Sequence, residues 1–367
     1  MDIKKLARKN ILSLTPYKGG KPIEELEREL GIKDIAKIAS NENPLGSSKK
    51  VYSSIKKNLK KINRYPDGNS FNLKKALAEK FNVKNEQIIL GNGSNEIIEL
   101  VLRVFLENND EVIVSKPSFL VYKLATLVEG GVVKEIPLLS DFSFDLKGIL
   151  NAITDKTKII FIDNPNNPAG TSVGKAEIEN FISKVPDKII IVLDEAYNEF
   201  VDRNDFPDSL RYVKEKNNVI VARTFSKAHG LSGLRIGYAV ANSEIVELVN
   251  KVRQPFNINY IAQIAALASL EDDAFIEKSK NLVRNGKQYL YVSLDKLKIK
   301  YIKSDTNFIL MNVENDSRKI FEEMLKEGII VRNMYEYGLP TYIRVTVGLP
   351  KENRKFIKAI GKVLSKS

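Results

Sequence analysis

Residues 158–194 read KIIFIDNPNNPAGTSVGKAEIENFISKVPDKIIIVLD, and this stretch decides the fold. Lys158–Asp163 and Lys188–Asp194 are apolar, β-branched runs too short for buried helices, so both are expected to be strands hidden on two faces. Between them Gly174–Lys184 carries a helical spacing of apolar residues. A strand, a helix and a second strand in succession predict parallel pairing with the helix packed on the sheet. The second strand closes on an acid, Asp194, and in sheets of this kind ligands gather at the carboxyl ends of the strands.

The same alternation extends in both directions. Gln87–Leu90, Glu111–Ser115, Asn218–Ala222 and Arg235–Val240 are further buried strands, and Ser94–Glu107 is a further helix. The fold class is therefore α/β, with a mostly parallel sheet between helices. Beyond Ile258 the texture changes to long helices (Tyr260–Leu270, Asp273–Leu297) and short strands (Phe308–Val313, Ile329–Val331, Ile343–Val347), an α+β pattern. The expected division is a large domain over 45–258 and a small domain made of 1–44 and 259–367. The Pro- and Gly-rich segment Thr15–Pro22 would cross over to join the latter.

A chain of 367 residues, 43% of them apolar, can bury a large core. It has no cysteine and a single histidine, His229. Disulfides, thiolate metal sites and cysteine nucleophiles are excluded, and a Ser-His-Asp triad or a multi-histidine metal centre has almost nothing to work with. No metal is expected. No signal peptide and no apolar run of membrane-spanning length is present, which points to a cytoplasmic protein with no membrane partner. The net charge of +12 could serve a nucleic acid or anionic small molecules, but the lysines are scattered among glutamates rather than clustered, so no nucleic-acid partner is expected.

Polar motifs recur at the strand ends. Gly91-Asn92-Gly93-Ser94-Asn95-Glu96 would let backbone N–H groups at a helix start approach a phosphate, or could be an ordinary capped turn. Asn164 to Gly170 is a rigid turn whose two prolines would present the Asn amides. Asp194, in Asp194-Glu195-Ala196-Tyr197, must find a partner: a protonated ring nitrogen, or a structural Arg or Lys. Thr224, Ser226, Lys227 and Arg235, in a small-residue turn after the strand Asn218–Ala222, could bind a phosphate beside an amine nucleophile. His229 reads as a packed neighbour.

Taken in order, Asn-Pro-x-Gly, Asp-x-x-Tyr and Ser-Lys motifs with an arginine eight residues after the lysine resemble the fold-type I pyridoxal-phosphate aminotransferases, of aspartate-aminotransferase-like fold, over nearly the whole chain. The resemblance implies pyridoxal 5′-phosphate held as a Schiff base on Lys227, with Lys227 as the proton shuttle. Asp194 would keep the ring nitrogen protonated, and Asn167 and Tyr197 would hydrogen-bond the ring oxygen. Ser94, Asn95, Thr224, Ser226 and Arg235 would grip the phosphate, and Phe119 would stack on the ring. Tyr65, in Asn63 to Gly68, would reach the cofactor of a neighbouring subunit, implying a homodimer.

Two further stretches, Leu14–Pro22 and Ala39–Gly46, resemble the histidinol-phosphate aminotransferases. On that likeness Tyr17, Asn167, Arg332 and Arg344 would surround the substrate, and an amino group would pass between L-glutamate/2-oxoglutarate and histidinol phosphate/imidazole acetol phosphate. An aromatic or broad-range aminotransferase, or a threonine-phosphate decarboxylase-like lyase, would reuse most of these residues.

Overall fold

The computed structural model describes residues 2–16 and 19–366. Its strands run, in chain order, β1 (Ala36–Lys37), β2 (Ile88–Gly91), β3 (Glu111–Lys116), β4 (Val132–Pro137), β5 (Thr157–Asp163), β6 (Ile190–Asp194), β7 (Val219–Thr224), β8 (Gly237–Val240), β9 (Lys300–Tyr301), β10 (Phe308–Asn312), β11 (Ile329–Ile330), β12 (Arg332–Asn333) and β13 (Tyr342–Thr346).

Seven of them form the main sheet in the order β2-β8-β7-β6-β5-β3-β4. All pairings are parallel except those of β8 with β2 and β7. All six expected strands are present. The seventh, β4, escapes a search for apolar runs because it is an edge strand whose residues are at best half-buried.

Side chains alternate across the sheet as period 2 requires. Ile159 and Phe161 pack on one side with Ile97, Ile98, Val101 and Tyr122, whereas Ile160 and Ile162 pack on the other with Ile178, Phe181 and Ile182. Each of these fully buried aliphatic or aromatic side chains contributes roughly 1.5–3 kcal/mol of transfer free energy, so the central strands are fixed firmly and their ends are rigid platforms.

A second sheet, β12-β13-β10-β9, is antiparallel throughout. Its core joins Phe308, Ile309, Met311, Ile343, Val345 and Val347 to the helices Asp273–Lys296 and Pro350–Leu364. β1 pairs in parallel with β11, and Leu26 of the helix Ile23–Leu30 packs against Leu325 and Ile330. Residues 23–37 thus lie against the C-terminal part, whereas farther toward the N-terminus Asn10 donates to the Leu127 and Val128 carbonyls, at 2.8 and 2.9 Å, of the helix Leu120–Glu129.

Among the described residues no helix is long and apolar enough to cross a membrane.

Candidate active site

The parallel register of β5, β6 and β7 brings their carboxyl ends side by side, with Asp163 opposite Asp194 and Asp194 opposite Ala222. The loops leaving these ends wall a cavity of about 260 Å³. Lining it are Ser94, Asn95, Phe119, Asn167, Asp194, Tyr197, Thr224, Ser226, Lys227, Arg235, Arg332 and Arg344. Residues spread over 250 positions of sequence converge here because sheet and loops bring them together.

Asp194 is 4% exposed. Its partner is neither Arg nor Lys: the Tyr122 hydroxyl donates to Oδ2 at 2.7 Å and the Ala196 N–H to Oδ1 at 3.2 Å. Burial pushes its pKa up to about 6, against the Tyr122 hydrogen bond, which pulls it down. At neutral pH it is a buried anion with no cation bonded to it among the described residues, an arrangement that favours a cationic ligand atom. The adjacent acid, Glu195, is the one that forms the ion pair, with Arg223 at 2.8 Å.

Lys227 stands on the loop after β7, partly buried, its Nζ 3.3 Å from the Ser40 carbonyl and 5.6 Å from the centre of the Tyr197 ring. Burial, assisted by the charge of Arg344, lowers its pKa to about 8. A sizeable fraction of the amine is therefore unprotonated near neutrality, as a nucleophile requires.

At one end of the cavity the helix Ser94–Phe105 begins without a side-chain cap, following Gly93 at φ +78°. Its first N–H groups and the positive end of its dipole are open to an anion. Arg235 closes in from the other side, its Nη1 3.4 Å from Ser226 Oγ and 3.0 Å from the Ser232 carbonyl. A Cβ on Gly93 would lie 2.5 Å from an Arg235 guanidinium nitrogen, so glycine there is needed for that approach.

At the opposite end Arg344, 6% exposed, donates to the Asn167 side-chain oxygen and, at 3.1 Å, to the Ala39 carbonyl. Its Nε is buried without a protein partner among the described residues, a donor left for a ligand. Arg332 faces the same space and is paired with Glu336 at 3.3 Å.

The Asn-Pro turn differs from expectation in one respect. Only Asn167 offers its side-chain amide to the cavity. Asn164 is bonded within the turn to both backbone groups of Val173, and Asn166 to Asp163, Ala169 and the Pro117 carbonyl. Short amide side chains satisfy backbone groups near them first. His229 is a packed residue: its Nδ1 lies 2.6 Å from Ser269 Oγ and burial lowers its pKa to about 3, so it is neutral.

Tyr65 is 82% exposed, stacked on Phe256 with ring centres 4.8 Å apart. Tyr17 lies outside the described residues.

Four residues went unrecognised in the sequence. Tyr122 has the one available signal, three positions after Phe119 at the start of a helix and hence on the same face. Asp163 accepts the Asn167 N–H at 2.9 Å. Ser40 and Asn41, inside the motif Ala39–Gly46, reach Lys227 and Tyr197 respectively.

The sequence profile of the family "Aminotransferase class I and II" matches residues 33–360. The chain is 47% identical to a histidinol-phosphate aminotransferase of Caldicellulosiruptor saccharolyticus, covering 97% of this chain and 99% of that protein. It is 45% identical to one of Moorella thermoacetica, covering 98% and 93%. The crystal structure of histidinol-phosphate aminotransferase from Sinorhizobium meliloti in complex with pyridoxal-5′-phosphate superposes with a TM-score of 0.90 at 28% identity, covering 98% of this chain and 97% of that one. The order of the motifs, the sheet that aligns them and these likenesses agree: the chain belongs to the class I and II aminotransferase family.

Proposed function

We propose that this enzyme moves an amino group between L-glutamate/2-oxoglutarate and histidinol phosphate/imidazole acetol phosphate, in histidine biosynthesis, with pyridoxal 5′-phosphate attached to Lys227. The observation that carries this reading is the convergence, in one cavity, of an amine of lowered pKa, a buried acid with no salt bridge among the described residues and anion-binding groups at both ends.

The residues present fit the cofactor. The uncapped helix start at Ser94 and Asn95, with Thr224, Ser226 and Arg235, suits its phosphate. Asp194 suits its ring nitrogen, Asn167 and Tyr197 its ring oxygen, and Phe119 a ring face. When bound, pyridoxal phosphate supplies an electrophilic carbonyl carbon and a conjugated ring that takes up the electron pair released at the substrate Cα. Lys227 Nζ, released when the substrate amine takes its place on the cofactor, would be free to accept the Cα proton, a task for which a pKa near neutrality is suited. Asp194 keeps the ring nitrogen protonated. Asn167, held by the Asp163 carboxylate through its backbone, and Arg344 orient the substrate.

Arg344 and Arg332 fit a phosphate ester in one half of the reaction and the carboxylate of glutamate in the other, since a guanidinium fork matches both geometries. High identity over full length to proteins named histidinol-phosphate aminotransferases favours the phosphate ester over an aromatic side chain.

The acting form in this reading is a cytoplasmic homodimer. Tyr65, stacked on the exposed Phe256, and the exposed Leu59, Ile62 and Phe71 close to it in sequence offer apolar surface suited to a second copy, whose cofactor Tyr65 would reach. The division into a large domain at 45–258 and a small domain of 1–44 and 259–367 is part of the same proposal, with the helix Tyr260–Leu270 siding with the large domain, since Ala262, Ala265 and Ala266 pack on Val51, Leu73 and Leu77.

Lys227→Ala tests the assignment: we expect loss of the covalently held cofactor absorbance and of amino transfer, with an unchanged circular dichroism spectrum. Substantial transfer by that variant without an added amine would overturn it.

A further inference from the structure

We propose that Asn41 is a positioning residue for Tyr197, its side-chain amide occupying the phenol oxygen so that the phenol's own hydrogen points into the cavity. This inference rests on the proposed role of Tyr197 at the cofactor's ring oxygen.

Asn41 is 1% exposed and sits in left-handed backbone at φ +57°. Its Nδ2 donates to the Tyr197 hydroxyl oxygen at 2.8 Å. The amide is held in that sense by Thr346: the Asn41 N–H donates to Thr346 Oγ1 at 2.9 Å, and the Thr346 hydroxyl donates to Asn41 Oδ1 at 3.0 Å. Among the described residues Asn41 Oδ1 is the acceptor available to that buried hydroxyl, so turning the amide over would strand its hydrogen. The Asn307 amide fixes the Asn41 carbonyl at 3.0 Å. The backbone N–H, the backbone carbonyl and the side-chain oxygen of Asn41 are thereby engaged, and the orientation that satisfies the Thr346 hydroxyl is the one that directs an Nδ2 hydrogen to Tyr197.

A phenol has one hydrogen to donate. With Asn41 donating to its oxygen, Tyr197 has no reason to turn that hydrogen toward residue 41. The groups facing Tyr197 are Lys227, Arg344, Asp194 and Tyr337. Burial raises the Tyr197 pKa, so it remains a donor throughout the working pH range. A hydrogen bond given to the ring oxygen stabilises negative charge there, and so weakens the hold on a proton of the nitrogen that joins the cofactor to Lys227.

The neighbouring contacts give the arrangement a wider setting. The Ala39 carbonyl takes a hydrogen bond from Arg344 and the Ser40 carbonyl one from Lys227. Three consecutive residues thus touch the anion clamp, the reactive amine and, through Asn41, the phenol. Thr346 lies two residues beyond Arg344 on β13, so the strand that carries the clamp also orients Asn41.

The test is a pH titration of visible absorbance on the pyridoxal-phosphate-loaded protein, comparing wild type, Tyr197→Phe, Asn41→Gly and the double variant. Glycine is chosen because alanine would be strained at a positive φ. We expect both single variants to raise the midpoint, Asn41→Gly by about one pH unit, roughly a tenfold change in the proton equilibrium. The double variant should sit no higher than Tyr197→Phe alone, since both changes remove the same hydrogen bond. If Tyr197→Phe moves the midpoint and Asn41→Gly does not, or if the two shifts add in full, Asn41 has only a structural role and the inference fails. If Tyr197→Phe leaves the midpoint in place, the role given to Tyr197 fails and takes the inference with it. Should Asn41→Gly not fold, Thr346→Val releases the amide while keeping the side-chain shape; a smaller rise supports the inference and an unmoved midpoint overturns it.

Discussion

Replacing Tyr122 by Phe removes one hydroxyl and leaves the ring stacked on Phe161, whose centre is 4.7 Å away. What is lost is the 2.7 Å hydrogen bond to Asp194 Oδ2. Hydrogen bonds to charged groups are worth about 1.5–3 kcal/mol, which corresponds to about one to two pKa units. Asp194, at about 6 in the wild type, would then titrate between roughly 7 and 8. At pH 7 its ionised fraction would fall from about nine-tenths to between a half and a tenth. On the proposed pairing of Asp194 with the cofactor's ring nitrogen, capture of pyridoxal phosphate by the apoprotein uses that anion, so affinity at pH 7 should drop about twofold to tenfold. The two proteins should converge at pH 9, where Asp194 is ionised in both. The assay is the cofactor dissociation constant of apoprotein across pH 5–9, read by absorbance. An acid limb at the same pH in both proteins would refute the reasoning.

Gly93→Ala places a methyl group against Arg235 at a backbone φ of +78°, so cofactor affinity should fall about tenfold or more while Lys227 remains able to react, as measured by equilibrium binding. Arg344→Gln removes the like charge that helps to lower the Lys227 pKa; labelling of the apoprotein amine should shift its midpoint upward from about 8, and the half-reaction with either amino donor should slow by about two orders of magnitude. Glu199 is pushed up to about 7, chiefly by burial, so the folded state holds its proton more tightly than the unfolded chain does. Its contribution is present below the unfolded carboxylate pKa and is lost as pH rises through about 7. Glu199→Gln should therefore raise the melting temperature at pH 8 relative to wild type and change it little at pH 5.

The chemistry that could be read from sequence is the chemistry that is local. Lys227, Ser226 and Arg235 lie on one loop and its exit and Asp194 at one strand end, so residue types and spacing were enough to single them out, whereas Tyr197 entered through the family resemblance. The central strands were equally legible, because burial on both faces writes a continuous apolar run. β4 was not, since an edge strand mixes exposed and half-buried residues. Tyr122, Asp163 and Asn41 act on residues 72, 4 and 156 positions away. The distant pairs are created by strand order and domain packing, which no local pattern encodes. Asp163 is close in sequence to Asn167, but an acid before a turn has no feature that separates a site residue from an ordinary one. The internal bonding of Asn164 and Asn166 was hidden for a related reason: which amide of a polar turn faces the cavity is decided by backbone geometry.

The measurement that tests the central claim most directly is a half-reaction on the loaded protein without any keto acid, followed through the cofactor's visible absorbance. Histidinol phosphate and glutamate should each convert the cofactor rapidly to its amine form, and aromatic amino acids should do so far more slowly. Rapid conversion by aromatic amino acids with none by histidinol phosphate would contradict the proposed substrate while leaving the family and Lys227 in place, and no conversion by any amino donor would contradict the proposed reaction.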